Sequence, residues 1–188
     1  MVSCSGDSSI IFYIKDSNEY KKYDQIKTDG SCTTVIQTKD NEICYSEKNN
    51  DKICFYDFLE KKIKSSISNI SKNDGKNHGV REWFVMIKKN LLLIPGYVQI
   101  SIINTEQYKL VHKIDISSNW ICGVCMINQD MLLTGGDDHL MMQWKIEGDN
   151  IKLISKKANT HNGDISVLLN IGRGFIASGA CDNTVKIW

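Results

Sequence analysis

Residues 174–188 read GFIASGACDNTVKIW, and residues 130–144 read DMLLTGGDDHLMMQW. Laid on each other without a gap, Trp188 falls on Trp144, Asp182 on Asp138 and Ser178 on Thr134, 44 residues apart. Agreement of this kind calls for an internal period. Going back from Trp144, a large apolar residue closes a strand-like run at Ile103, Tyr56 and Tyr13, in steps of 41, 47 and 43 residues. The runs are LMMQW, QISII, KICFY and SIIFY, with TVKIW at the end. Six residues before the closing positions stand Asp7, Asn50, Tyr97, Asp138 and Asp182. Ten residues before them stand Ser3, Ser46, Leu93, Thr134 and Ser178.

Inside each period the pattern is β. Runs rich in Val, Ile, Tyr and Phe alternate with turn clusters such as NQD, EGDN, HNGD and IGRG. No segment places apolar residues at helical spacing over three turns. Four strands of ordinary length and their turns fill each period, which makes it a propeller blade. The blade spans are 1–28, 29–73, 74–116, 117–159 and 160–188. Val2-Ser3-Cys4 reads as a second strand and Trp188 as the end of a third, so two blades have three strands and three have four. A shared closing blade needs complementary halves, and these two do not complement each other. The expectation is an all-β chain of about four and a half four-stranded blades. It would be part of a seven-bladed ring whose missing blades come from the rest of a longer chain.

His161, Ser178, Asp182 and Trp188 in the last period, echoed by Thr134, Asp138 and Trp144 in the fourth, resemble the WD40-repeat β-propeller family. The resemblance implies a structural tetrad in which Trp, Ser, His and Asp are hydrogen-bonded in series. The chemistry suits burial. An indole N–H only donates, a hydroxyl accepts it and donates onward, and a carboxylate receives from the imidazole and from turn amides. The other copies depart from the pattern: Ser117, His78 and Asp29 stand near the His column, and the Trp-Asp dipeptide is replaced by Tyr56-Asp57 and Ile103-Asn104. The resemblance also implies that partners bind at the start of the first strand and just before the turn Asp. Those positions are Arg81, Trp83, Trp120, Asp137 and Asp164, with Cys122, Ser166 and Cys181 beside them. Arg and Trp anchor interfaces more often than most residues.

Composition narrows the function classes. The chain has 188 residues, a formal net charge of +1 and 24% charged residues, as in an ordinary globular domain. A near-neutral balance gives no general basic field for nucleic acid. The longest apolar runs, such as Leu91–Pro95, are far shorter than a membrane span. The N-terminal sequence lacks the basic start and long apolar stretch of a secretory signal. Seven cysteines, mostly in strand-like contexts, read as packed reduced thiols, and the setting as cytoplasmic or nuclear. The sequon Asn69-Ile70-Ser71 is then not a glycosylation site.

Catalytic readings are weaker than structural ones throughout. Cys122-Gly123-Val124-Cys125 has redox-motif spacing, but it lies on a strand, where residues three apart face opposite sides. His139 and His161 lack the paired ligands of a zinc site. Gly135-Gly136-Asp137-Asp138 and Gly172-Arg173-Gly174 read as turns, since neither leads into a helix. Glu60-Lys61-Lys62-Ile63-Lys64 reads as an exposed outer strand, and residues 65–77 as a mobile loop between blades. The functional expectation is a non-catalytic scaffold for a protein or peptide, with no cofactor or metal and no nucleic acid. A phosphoinositide- or membrane-binding propeller and a regulatory propeller of a larger enzyme are the alternatives.

Overall fold

The computed structural model describes residues 1–48, 51–70, 83–116 and 120–188. Asn50, His78, Arg81, Ser117 and residues 71–77 of the expected loop lie outside the described residues. The described residues form five small antiparallel sheets, each built from consecutive strands in chain order, the blade arrangement of a β-propeller. Sheet 1 holds β1 (Val2–Ser5), β2 (Ser9–Asp16) and β3 (Glu19–Lys27). Sheet 2 holds β4 (Val35–Lys39), β5 (Glu42–Glu47), β6 (Lys52–Asp57) and β7 (Lys62–Ser68). Sheet 3 holds β8 (Val85–Lys88), β9 (Leu91–Pro95), β10 (Gln99–Asn104) and β11 (Lys109–Asp115). Sheet 4 holds β12 (Ile121–Asn128), β13 (Met131–Gly136), β14 (Met141–Glu147) and β15 (Asn150–Lys157). Sheet 5 holds β16 (Ile165–Gly172), β17 (Phe175–Ala180) and β18 (Val185–Ile187). No helix among the described residues is long and apolar enough to cross a membrane.

The chain divides into two compact units, Met1–Phe84 with sheets 1 and 2, and Val85–Trp188 with sheets 3 to 5. In the first unit, Ile10 and Phe12 of sheet 1 pack on Ile43, Tyr45, Cys54 and Tyr56 of sheet 2. In the second, Leu91, Leu93, Ile100 and Ile102 of sheet 3 pack on Leu132, Met142 and Trp144 of sheet 4. Cys125, Leu133 and Met141 on the other face of sheet 4 pack on Ile165, Leu168 and Ile176 of sheet 5. Alternation along each strand thus supplies both faces of an interior sheet with apolar side chains.

Four of the five closing positions are marked by a break in register. The pairing of the last two strands shifts at Phe12/Tyr13, Phe55/Tyr56, Ile102/Ile103 and Gln143/Trp144. A bulge at the same place in the outer hairpin of sheets 1 to 4 bends the outer strand in the same way, so over those sheets the period found by residue type is also a period of geometry.

Two expectations need correction. Ser65–Ser68 belong to β7, not to a loop, because Ser65, Ser66, Ile67 and Ser68 pair with Phe55, Cys54, Ile53 and Lys52. The column ten residues before the closing position also slips in two copies. Ser3, Thr134 and Ser178 pair with Ile11, Met142 and Lys186, each two residues before its closing position. Ser46 pairs instead with Ile53, and Leu93 with Ile102. Tyr45 and Ile94 hold the equivalent places, paired with Cys54 and Ser101. The central hairpin is one residue longer in sheet 2 and one shorter in sheet 3. A one-residue slip turns a side chain to the opposite face.

Candidate functional site

The last blade contains a closed polar chain. Trp188 Nε1–H donates to Ser178 Oγ at 2.8 Å, and Ser178 Oγ meets His161 Nε2 at 2.6 Å. His161 Nδ1 meets Asp182 Oδ2 at 3.0 Å. The carboxylate accepts but cannot donate, so the imidazole proton sits on Nδ1 and Nε2 accepts the Ser178 hydroxyl proton. Asp182 also receives the Asn162 and Thr184 amides and the Thr184 hydroxyl, at 2.9, 3.0 and 2.7 Å. The Thr184 hydroxyl first, with the Asn162 amide and His161 behind it, holds the Asp182 carboxyl well below the usual carboxylate range. The Ser178 hydroxyl proton, one of its lone pairs and both ring nitrogens are engaged within the blade. Ser178 and His161 are buried, and an indole donor occupies the serine oxygen, an arrangement that a catalytic triad does not have. In the fourth blade Trp144 Nε1–H donates to the buried Thr134 at 3.0 Å, and Asp138 caps its turn through the Leu140 amide at 2.9 Å.

A second, less obvious repeat positions the partner-binding candidates. The Asp137 amide donates to the Trp120 carbonyl at 3.1 Å, and the Cys181 amide to the Asp164 carbonyl at 2.9 Å. Trp120 and Asp164 stand 44 residues apart, as do Asp137 and Cys181. The same backbone bond therefore fixes both pairs where β12 and β16 begin. Gly136 makes this possible in the fourth blade, since a β-carbon there would lie 2.0 Å from the Trp120 carbonyl oxygen.

The group so assembled is acidic and partly aromatic. Burial first, then the charges of Asp164 and Asp138, push the Asp137 carboxyl above its ordinary value. Among the described residues, Asp137 Oδ1 and Asp138 Oδ2 are buried without a hydrogen-bond partner. His139 Nε2 stands 3.8 Å from Asp164 Oδ1. Trp120 meets Tyr97 edge-on, with ring centroids 5.5 Å apart. Ser166 Oγ and Cys181 Sγ are 3.4 Å apart.

The structure thus brings Trp120, Asp137 and Asp164 to one end of sheets 4 and 5. Trp83 lies in the first unit, 43% exposed. Arg81 lies outside the described residues. In the sequence Tyr97 stands only in the column six residues before a closing position, whereas its ring packs on Trp120. His139 reads there only as a candidate metal ligand, whereas it faces Asp164. Neither Cys122 nor Cys125 is in a disulfide, and burial pushes the Cys125 thiol up to about 11, far from a nucleophilic thiolate.

Two residues standing in for the family's dipeptide act as turn caps. Asp57 is fully buried, and its Oδ1 accepts the Leu59 and Glu60 amides, each at 2.9 Å. Its Oδ2 accepts Asn41 at 2.8 Å and pairs with Lys64 at 2.7 Å. Asn104 Oδ1 accepts the Glu106 and Gln107 amides, each at 3.0 Å. These are Asx turns closing the outer hairpin.

No family model matches the chain, and no curated protein matches it. Among solved structures, 1296 chains resemble its fold. One is the computationally designed Ika8 protein, 15% identical, with a TM-score of 0.73. The match covers 100% of this chain and 54% of the designed one, so this chain spans about half that length. At such identity the likeness is one of fold: an all-β chain of five propeller-type blades.

Proposed function

We propose that this chain is a non-catalytic interaction scaffold, a WD40-like propeller that presents the end of sheets 4 and 5 to a protein or peptide carrying a basic side chain. The observation behind this reading is the partly desolvated Asp137 carboxylate with Trp120 and the exposed Asp164 beside it. Like charges and burial raise the energy of the ionised Asp137. A lysine or arginine placed between the two carboxylates relieves that cost, and an indole beside it adds a cation–π surface. The tetrad is committed to the blade, and so it supports the site without taking part in chemistry. We further propose that these five blades belong to a larger, seven-bladed ring. The outer face of sheet 5 supports this, being apolar and exposed from Val167 to Ile187.

The test uses the full chain and fluorescently labelled peptides that differ only in Lys, Arg, Glu or neutral residues at one position. The basic peptides should bind, and Asp137→Asn and Asp164→Asn should each weaken binding about tenfold without lowering the melting midpoint. That loss corresponds to roughly 1.4 kcal/mol, below the range for a fully buried charge pair because Asp164 is half exposed. Equal binding of acidic and basic peptides would overturn the proposal.

A further inference from the structure

None of the seven cysteines is in a disulfide, and two of them meet across a sheet boundary. Cys4 lies on β1 and is half-buried, whereas Cys32 precedes β4 and is 1% exposed. The Cys32 amide donates to the Ser5 carbonyl at 3.2 Å, which pins the two backbones side by side. Both side chains belong to the apolar cluster between sheets 1 and 2. Cys32 Sγ–H donates to the Thr34 carbonyl at 3.6 Å, and the two thiols are close enough to shift each other's ionisation. The neighbouring pair Cys44 and Cys54 is arranged differently. Those residues pair with Phe55 and Tyr45, so their side chains point to opposite faces of sheet 2.

We propose that Cys4 and Cys32 form a redox-active dithiol, closed by a small-molecule disulfide into a covalent staple between sheets 1 and 2. Cys4 is the attacking group. It is the more accessible of the two, and interaction with the Cys32 thiol lowers its ionisation threshold. The same interaction, followed by burial, raises that of Cys32. The Cys4 thiolate displaces one thiolate from the reagent and becomes a mixed disulfide. Capping removes the negative charge that kept Cys32 protonated. Cys32 then loses its proton, attacks the Cys4 sulfur and expels the second thiolate. Two protein thiols are oxidised to one disulfide, and one reagent disulfide is reduced to two thiols.

The experiment treats the full chain, in a Cys181→Ser background that removes the exposed thiol, with oxidised glutathione under native conditions. Non-reducing peptide mapping should recover the Cys4 and Cys32 peptides joined, two hydrogens lighter than their sum. The melting midpoint should rise and return on adding a thiol reductant, since a cross-link between distant residues restricts the unfolded chain. Cys4→Ser should abolish both the joined peptide and the rise. A stable glutathione adduct on Cys4 with Cys32 still alkylatable after unfolding would overturn the proposal. So would an unreacted Cys4 under oxidant that modifies the exposed Cys181 of the parent chain, or a Cys4 linked to any other cysteine.

Discussion

Ser178 is the residue on which the last blade depends most directly. Its hydroxyl accepts from Trp188 and donates to His161, and it is fully buried. Ser178→Ala strands an indole N–H and an imidazole nitrogen where water does not reach, which costs about 1–3 kcal/mol. Urea denaturation should show a lower midpoint at an unchanged slope. The carboxylates divide by sign. Asp182 is held low chiefly by the Thr184 hydroxyl, and Asp57 by the Glu60 amide and Lys64. A carboxyl whose folded threshold lies below its unfolded one, about 3.9, stabilises the fold above that pH and loses this contribution as pH falls through the folded threshold. The melting midpoint should therefore drop progressively below about pH 4. Asp57→Asn should flatten part of that drop, because the amide keeps an acceptor for the turn but does not titrate. Asp137 has the opposite sign. Its threshold is raised, so its ionisation destabilises the fold at neutral pH. Asp137→Asn should raise the midpoint at pH 7 and make no difference in acid, where the native carboxyl is already protonated. Such a cost at a surface end accords with the proposed binding of a basic side chain there.

At the level of strands and hairpins, legibility followed the backbone. Four closing positions could be read because each sits at a register shift that wants a large apolar or aromatic residue, whatever its identity. Tyr13, Tyr56 and Ile103 satisfy that demand as Trp144 does, and Trp188 matches Trp144 by residue type. The second-strand column could be read only where the central hairpin keeps its length. In sheets 2 and 3 opposite one-residue changes moved it, and an ungapped alignment cannot see them. Ser46 therefore looks like a tetrad serine in sequence, yet it ties the Thr34 amide at 3.3 Å and the Thr33 hydroxyl at 3.0 Å. Glycine carried a signal that residue-type matching undervalued. Gly135 and Gly136 were read as turn residues, but both also permit close approach. A β-carbon on Gly135 would lie 2.8 Å from Ile165 of the next sheet, and one on Gly136 2.0 Å from the Trp120 carbonyl. Backbone cannot yield as a side-chain tip can. Gly136→Ala should cost roughly 1–3 kcal/mol and break the bond that sets Asp137 beside Trp120. Chemical denaturation would register the first effect, and loss of basic-peptide binding under conditions where the variant remains folded would register the second.

Across the second unit, the repeat explains a surface that composition alone conceals. Gly123, Cys125, Leu133 and Met141 on sheet 4 lie under sheet 5. Forty-four residues later, Val167, Leu169, Ala177 and Val185 occupy the same face of sheet 5, joined by Phe175 and Ile187. That face is open: Leu169 is 58%, Phe175 50% and Val185 73% exposed. Scattered apolar side chains need no explanation, but a contiguous sheet face of them marks a surface built to be covered. In the proposed larger ring its cover would be the opposite face of another blade, as sheet 5 covers sheet 4. Charge and polarity placed there should therefore leave the fold intact and act on association. In Leu169→Glu/Val185→Thr the melting midpoint should shift by no more than the equivalent of about 0.5 kcal/mol, the usual range for exposed positions. Binding of an apolar dye and concentration-dependent sedimentation should both fall. A collapsed midpoint in that variant would mean that the face is already used within the isolated chain, and the larger ring would lose its physical support.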